Sequence, residues 1–187
     1  MGKVKFGLSN VHLAPLTYDG SKYTYGEVIK IPGGVKLSLE PSGDSTDFFA
    51  DNIKYFSASA NQGYEGDLEL AMVPDEIREK IFGETKDKNG AYIESANDII
   101  KPFALGFQID GDAENRKFWY YNCNATRPKN EAQTLENSKE PSTDTIAIKS
   151  LPRETDQRVR VVLPASDTNK TAYDSFFNEV YEEVKEV

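Results

Sequence analysis

Residues Tyr64 to Val73, YEGDLELAMV, alternate in character along the whole run. Tyr64, Gly66, Leu68, Leu70 and Met72 fall on one face, and Glu65, Asp67, Glu69 and Ala71 on the other. A period of two sustained over this length describes a half-buried β-strand and is out of step with a helix. The strand stops at Pro74, where a short helix is expected to start. Proline suits a first helical position because its missing N–H would have no partner there. Asp75 and Glu76 then sit at the positive end of the helix dipole and Lys80 near the negative end. Glu76 and Lys80 form an i,i+4 pair, Ile77 and Ile81 share a face with Phe82 beside them, and Gly83 ends the helix as a C′ residue. Ahead of this unit, Ile53 to Ala58 is an aromatic-rich strand candidate, and Asn61-Gln62-Gly63 is a turn signal.

The same patterns recur along the chain. Val4 to Leu16 is an extended segment with apolar residues at Val4, Phe6, Leu8, Val11, Leu13 and Leu16. Val28 to Ile31 is a short run that ends at the breaker Pro32-Gly33-Gly34. Val35, Leu37 and Leu39 alternate with Lys36, Ser38 and Glu40, a strand closed by the turn signal Pro41-Ser42-Gly43-Asp44. Thr46 to Ala50 is a further strand candidate. Residues 84–101 read as a polar surface loop with Asn89-Gly90 at its apex. Phe103 to Ile109 and Arg116 to Thr126 flank one acidic turn and are expected to pair as a hairpin. Ala132 to Lys139, Thr145 to Lys149 and Arg158 to Leu163 complete the strand candidates. The period then changes. Tyr173, Phe176, Phe177, Val180 and Val184 fall at helical spacing, which predicts an amphipathic C-terminal helix over about 170–184. The fold class expected is mainly β: one domain over 1–187, with an N-terminal arm of about 1–30, the loop of about 84–101, a short flanking helix and the C-terminal helix.

Composition narrows the function classes. A chain of 187 residues can bury a sizeable core as one domain. Its formal charge of −9 disfavours a nucleic-acid binder, which needs Lys and Arg to displace counterions from phosphates, and an anionic membrane surface as partner. No apolar run has the length of a membrane span, and MGKVKFGLSN lacks the apolar segment of a signal peptide. With one cysteine, Cys123, there is no internal disulfide.

Candidate chemistry is thin. His12 is the single histidine and lies among Val11, Leu13 and Leu16, a setting for a structural or surface residue rather than a triad or metal centre. Cys123 reads as a small buried hydrophobe. Asp110-Gly111-Asp112 begins like a calcium loop, but the sixth position is Asn115 instead of Gly and the twelfth is Tyr121 instead of Glu. Glu65, Asp67 and Glu69 stand about 7 Å apart along their strand, a spacing that a glycosidase pair also uses. A solvated strand face explains them with fewer assumptions. No catalytic residue, metal ligand, cofactor or cofactor-binding residue is expected, and the chain does not read as an enzyme.

Taken in order, the blocks KFGLSNVHLAPLT, IPGGVKLSLEPSGDSTDFFADN, NQGYEGDLELAMVPDEIREKIFGE, KPFALGFQIDGD, FWYYNCNATRP and EPSTDTIAI resemble the major tail proteins, or tail tube proteins, of long-tailed siphophages and prophages of Gram-positive bacteria. The resemblance runs through nearly the whole chain, and the third block is its most specific part. It implies a tail-tube-type β-sandwich or barrel with a flanking helix, assembled as hexameric rings that stack into the tail tube. The implied partners are further copies of the chain, a tape-measure protein, tail assembly chaperones and a tail terminator. Double-stranded DNA would pass through without specific binding. The implied location is the virion tail, assembled in the host cytoplasm, with no membrane partner.

The implied ring can be sized. About four lumen strands from each of six copies give roughly 24 strands, and strands about 4.8 Å apart tilted by about 40° make a backbone diameter on the order of 50 Å. Side chains leave a bore of about 40 Å, wide enough for a duplex. Carboxylates lining it would repel phosphates over a Debye length of about 8 Å, and Glu65, Asp67 and Glu69 are the candidate lumen-facing strand. The 84–101 loop, the N-terminal arm and the C-terminal helix are candidate contacts between copies. The alternative is a soluble β-sandwich binding module that recognises a cell-surface polysaccharide and stays monomeric.

Overall fold

The computed structural model describes residues 7–111, 114–129 and 142–184. In chain order its strands are β1 (Leu8–Tyr18), β2 (Tyr23–Tyr25), β3 (Ile29–Ile31), β4 (Gly34–Ser42), β5 (Ser45–Ala50), β6 (Ile53–Ser59), β7 (Gly63–Leu70), β8 (Thr85–Lys86), β9 (Tyr92–Ile93), β10 (Phe103–Ile109), β11 (Lys117–Ala125), β12 (Asp144–Ser150) and β13 (Arg160–Leu163). The helices are α1 (Asp75–Lys80) and α2 (Lys170–Asp174). The fold is mainly β, with one large antiparallel sheet and two short helices, as a β-sandwich-type fold requires. The strand candidate at Ala132 to Lys139 lies outside the described residues.

The large sheet runs β2-β1-β10-β11-β12-β7-β4, with β3 added to β1 and β13 to β11. β1 and β4 stand near opposite ends of this path yet meet: a Cβ on Gly34 would lie 2.8 Å from Val11 Cγ2. The sheet is therefore rolled. Its inner side holds a core of Leu13, Leu68, Leu70, Phe103, Leu105, Ile146 and Ile148, closed by Ile77, Ile81 and Phe82 from α1 and the residues after it. Fully burying each such side chain stabilises the fold by roughly 1.5–3 kcal/mol. α1 starts after Pro74, which acts as its N-cap, and Gly83 supplies the left-handed φ of +79° that turns the chain away. Lys80 reaches Glu27 at 3.5 Å where the sequence suggested Glu76. The β7 alternation ends at Leu70, and Met72 beyond it is exposed.

β11 carries a bulge that matters for everything outside the roll. Between Phe103↔Cys123 and Leu105↔Tyr120, β11 has one residue more than β10. The extra residue reverses the facing of the strand. Phe118 and Tyr120 point inward before it and Cys123 after it, while Trp119 and Tyr121 point outward. At the same place β11 exchanges its neighbour, from β13 to β12. The outward residues join Ala14, Ala104, Phe176 and Val180 in a second, smaller core. Trp119 lies flat on Gly106, where a Cβ would come within 2.8 Å of the indole.

Two expectations are corrected here. Residues 8–31 are not an arm: β1 and β3 form part of the sheet and bury Val11, Leu13, Ile29 and Ile31. The C-terminal helix is one short turn, Lys170–Asp174, after which the chain is non-helical. β11 supplies the physical reason. Lys117 Nζ donates to the Tyr173 carbonyl at 2.7 Å, Trp119 Nε1 to Phe176 at 2.9 Å and Tyr121 Oη to Tyr181 at 2.9 Å. Side chains of one strand thus take carbonyls that a helix would have used for itself, and Phe176 and Val180 still reach the core. The segment is a strap rather than a rod. Its far end is tied by Arg153, which is 4% exposed and pairs with Glu182 and Asp156, and by Arg158, which pairs with Glu183.

The polar stretch at 84–101 contains the small β8–β9 hairpin with Gly90 at φ +85°.

Candidate functional site

The three carboxylates of β7 share one face, as their spacing requires. β7 lies between β4 and β12. Glu65 stands between Glu40 and Lys149, Asp67 between Ser38 and Ala147, and Glu69 between Lys36 and Thr145. Glu65 and Asp67 are exposed and Glu69 is half-buried. The opposite face of the same strands carries Leu37, Leu39, Leu68, Leu70, Ile146 and Ile148. The outer side of β4-β7-β12 is therefore a continuous polar surface with four carboxylates, Glu40 included, against two lysines.

Few of these charges are neutralised locally. Lys149 Nζ is 3.8 Å from Glu65, with both side chains more than half exposed, a pair that contributes about 0–1 kcal/mol. Glu40 directly opposite Glu65 opposes it. Glu69 accepts a hydrogen bond from Thr143 Oγ1 at 2.6 Å. Asp67 has Ser38 and Ala147 beside it, neither of which carries charge. A shallow depression lies over Glu65, Asp67, Asn124 and Lys149. The face presents negative charge on a hydrogen-bonded sheet surface and places no histidine or cysteine beside it.

His12 lies on the other side of the roll. Its ring stacks on Phe177 at 4.4 Å and its Nδ1 is 2.7 Å from the Asn10 carbonyl. Burial pushes its pKa below 6.5 against the pull of that carbonyl, and Lys30 and Lys117 push it the same way. Cys123 is fully buried, and burial pushes its thiol up to about 12, so it is a thiol and not a thiolate at neutral pH. Among the described residues no three His, Cys, Asp or Glu side chains gather in a way that would hold a metal ion. Among the described residues no helix is long and apolar enough to cross a membrane.

Two further features were not read from the sequence. β5 and β6 form a two-stranded arm that extends β4 and β7 beyond the roll. The joint is closed by Ala60 N–H donating to the Asp44 carbonyl and Gln62 N–H to the Ser42 carbonyl. Gly43 is needed there, because a Cβ would fall 1.8 Å from the Ala60 carbonyl oxygen. Hence neither Pro41–Asp44 nor Asn61–Gly63 reverses the chain. The reversal is at Asp51-Asn52, both at positive φ (54° and 61°), as a two-residue hairpin turn demands. That Asp-Asn pair between two strand candidates was the available signal. Ile53, Tyr55 and Phe56 stand exposed on the arm. The second feature is an open groove of about 460 Å³ at the seam of the roll, lined by Leu8, Val35, Leu37, Ile109, Phe118 and Arg160 among others.

No family model matches the chain, and no curated protein matches it.

Proposed function

We propose that the chain is a structural virion protein, a tail tube subunit that assembles into stacked hexameric rings through which double-stranded DNA is delivered. The observation that carries this reading is the outer face of β4-β7-β12: an acidic sheet surface ending on a strand, β4, that pairs only with β7 among the described residues. Soluble proteins normally blunt such an edge. Joined edge to edge, copies would extend one acidic surface around a bore, where it would repel phosphates and leave passing DNA unbound. The mainly β fold and the resemblance of the sequence blocks agree with this arrangement. In this reading the partners are other copies, a tape-measure protein, tail assembly chaperones and a tail terminator. The place is the virion tail, after assembly in the host cytoplasm.

The test is negative-stain microscopy and sedimentation of the purified chain at rising concentration. Rings or tubes are the expected result. Monomers at every concentration, together with binding to a cell-surface polysaccharide, would overturn it in favour of a monomeric binding module.

A further inference from the structure

Five of the arginines pair with a carboxylate: Arg78 with Glu84, Arg116 with Glu114, Arg127 with Glu94, Arg153 with Glu182 and Asp156, and Arg158 with Glu183. The remaining one, Arg160, pairs with none among the described residues. Its surroundings are aromatic. One guanidinium nitrogen donates to Tyr120 Oη at 3.2 Å, and Cζ lies 4.8 Å from the centre of the Tyr64 ring. Tyr64 meets Tyr120 edge to face at 5.2 Å, so two packed rings hold the cation in place. A guanidinium carries five N–H donors, and its neighbours in the described chain accept one of them. The rest form a planar fork that matches a carboxylate.

β13 brings this cation to the groove at the seam of the roll. Val161 and Leu163 pack on the second core and Val162 on the first, so Arg160 shares the parity of Val162 and faces the inner side. Arg160, Tyr120 and Leu39 stand at one end of the groove, since Tyr120 is opposite Arg160 and Tyr64 is opposite Pro41, just past Leu39. Leu8, Val35 and Ile109 stand at the other end, and Leu37, Phe107 and Phe118 lie between. Val35 to Leu39 covers about 13 Å of strand. The lining holds Lys36 and Arg160 and no carboxylate, and Lys36 has Glu69 directly across from it on β7. The result is an apolar trough of about 460 Å³ with an uncompensated cation at one end, a size that suits a small molecule. We propose that the groove binds a single-chain amphiphile with a carboxylate head, a medium-chain fatty acid. The head takes the free edge of Arg160, and the alkyl chain lies past Leu39, Leu37 and Phe118 toward Leu8 and Ile109. It bridges β4 to β1 and β11 across the seam, so the bound form holds the roll closed. The inference goes beyond the assembly reading and does not depend on it, because every residue it uses belongs to one copy.

Calorimetric titration of the full, unassembled chain with sodium decanoate, kept below its micelle concentration, tests this. One saturable site is expected, together with a melting temperature that rises as decanoate is added. Octanoate should bind more weakly on the order of tenfold, because it buries two methylenes fewer. Decyl alcohol keeps the chain and lacks the charge, and should also bind more weakly on the order of tenfold. Arg160→Gln should bring decanoate down to the level of decyl alcohol and leave decyl alcohol itself unchanged, a pattern that a misfolded chain would not give. Arg160→Lys should recover part of the loss, since it restores the charge without the fork. Unaltered decanoate affinity in Arg160→Gln would overturn the proposal, as would several equivalents bound without saturation, the mark of general adsorption. No binding to the unassembled chain would overturn it too. Protection of Arg160 from phenylglyoxal on formation of rings or tubes would then give the groove to a second copy and leave the assembly reading standing. Decanoate binding that appears only after deletion of residues 1–6 would overturn it in favour of the chain's own N-terminal segment.

Discussion

His12 shows how a single side chain can tie pH to stability in this protein without any catalytic role. Its folded pKa is depressed, first by burial and then by Lys30 and Lys117. Between that folded value and 6.5 the unfolded chain holds a proton that the folded chain does not. Its contribution to stability is thus complete above 6.5 and is lost as pH falls through the folded pKa. His12→Gln is expected to flatten the dependence of the urea midpoint on pH just below 6.5, while lowering the midpoint at neutral pH through loss of the ring stack on Phe177, about 0.5–1.5 kcal/mol. Urea titrations at a series of pH values check both. The sequence already placed this histidine among apolar neighbours, and it placed Cys123 correctly as buried. It gave no sign of the ring contact, because Phe177 is far along the chain and reaches His12 only through the strap.

At the scale of elements, local periodicity located the longer strands, while the two- and three-residue β2, β8 and β9 were not read. The alternation in β4, β7 and β12 is the imprint of a rolled sheet with one wet face and one dry face, whereas β10 is buried on both faces between the two cores. Periodicity failed where two structures fit one pattern. Phe176, Phe177 and Val180 satisfy helical spacing, yet the strap meets the second core without a helix, since Lys117, Trp119 and Tyr121 supply donors to its carbonyls. No window of sequence confined to 170–184 contains those donors. Trp119→Phe keeps most of the ring and removes one donor, at an expected cost of about 1 kcal/mol. Hydrogen exchange should then rise in residues 175–184 while the amides of β10 stay protected. Equal loss of protection in both places would mean that the strap and the roll unfold together. The arm was misread for a related reason: Pro41–Asp44 and Asn61–Gly63 both carry turn residues, and only their pairing across the joint shows that the chain passes straight through.

For the whole molecule, the acidic face can be tested apart from folding because it is solvent-exposed on a sheet whose other side makes the core. Glu65→Lys, Asp67→Lys and Glu69→Lys together change the charge by +6 and leave Leu68 and Leu70 untouched. If the face lines the bore, tubes of the triple variant should form and DNA delivery by virions carrying it should fall by at least about tenfold, since a basic lining gains affinity for phosphates through counterion release. Failure to assemble would make the face an interface between copies, and unchanged assembly and delivery would make it outer surface. Thermal melts of the unassembled chain separate these outcomes from misfolding. The acidic strand was legible in the sequence because its alternation is local. Its company was not: Glu40 and Lys149 come beside Glu65 only through β4 and β12.

The strap has a consequence for how such a chain can vary. What β11 holds at Tyr173, Phe176 and Tyr181 is the carbonyl oxygen, which every amino acid has. Where a side chain of the strap points to solvent, as at Glu179, the grip does not register its identity. Sequence drift is therefore cheap at the exposed positions of the strap and expensive at Lys117, Trp119 and Tyr121 and at the buried Phe176 and Val180, so a stretch that looks poorly defined as text can hold one conformation through a few fixed positions, three of them in a distant strand.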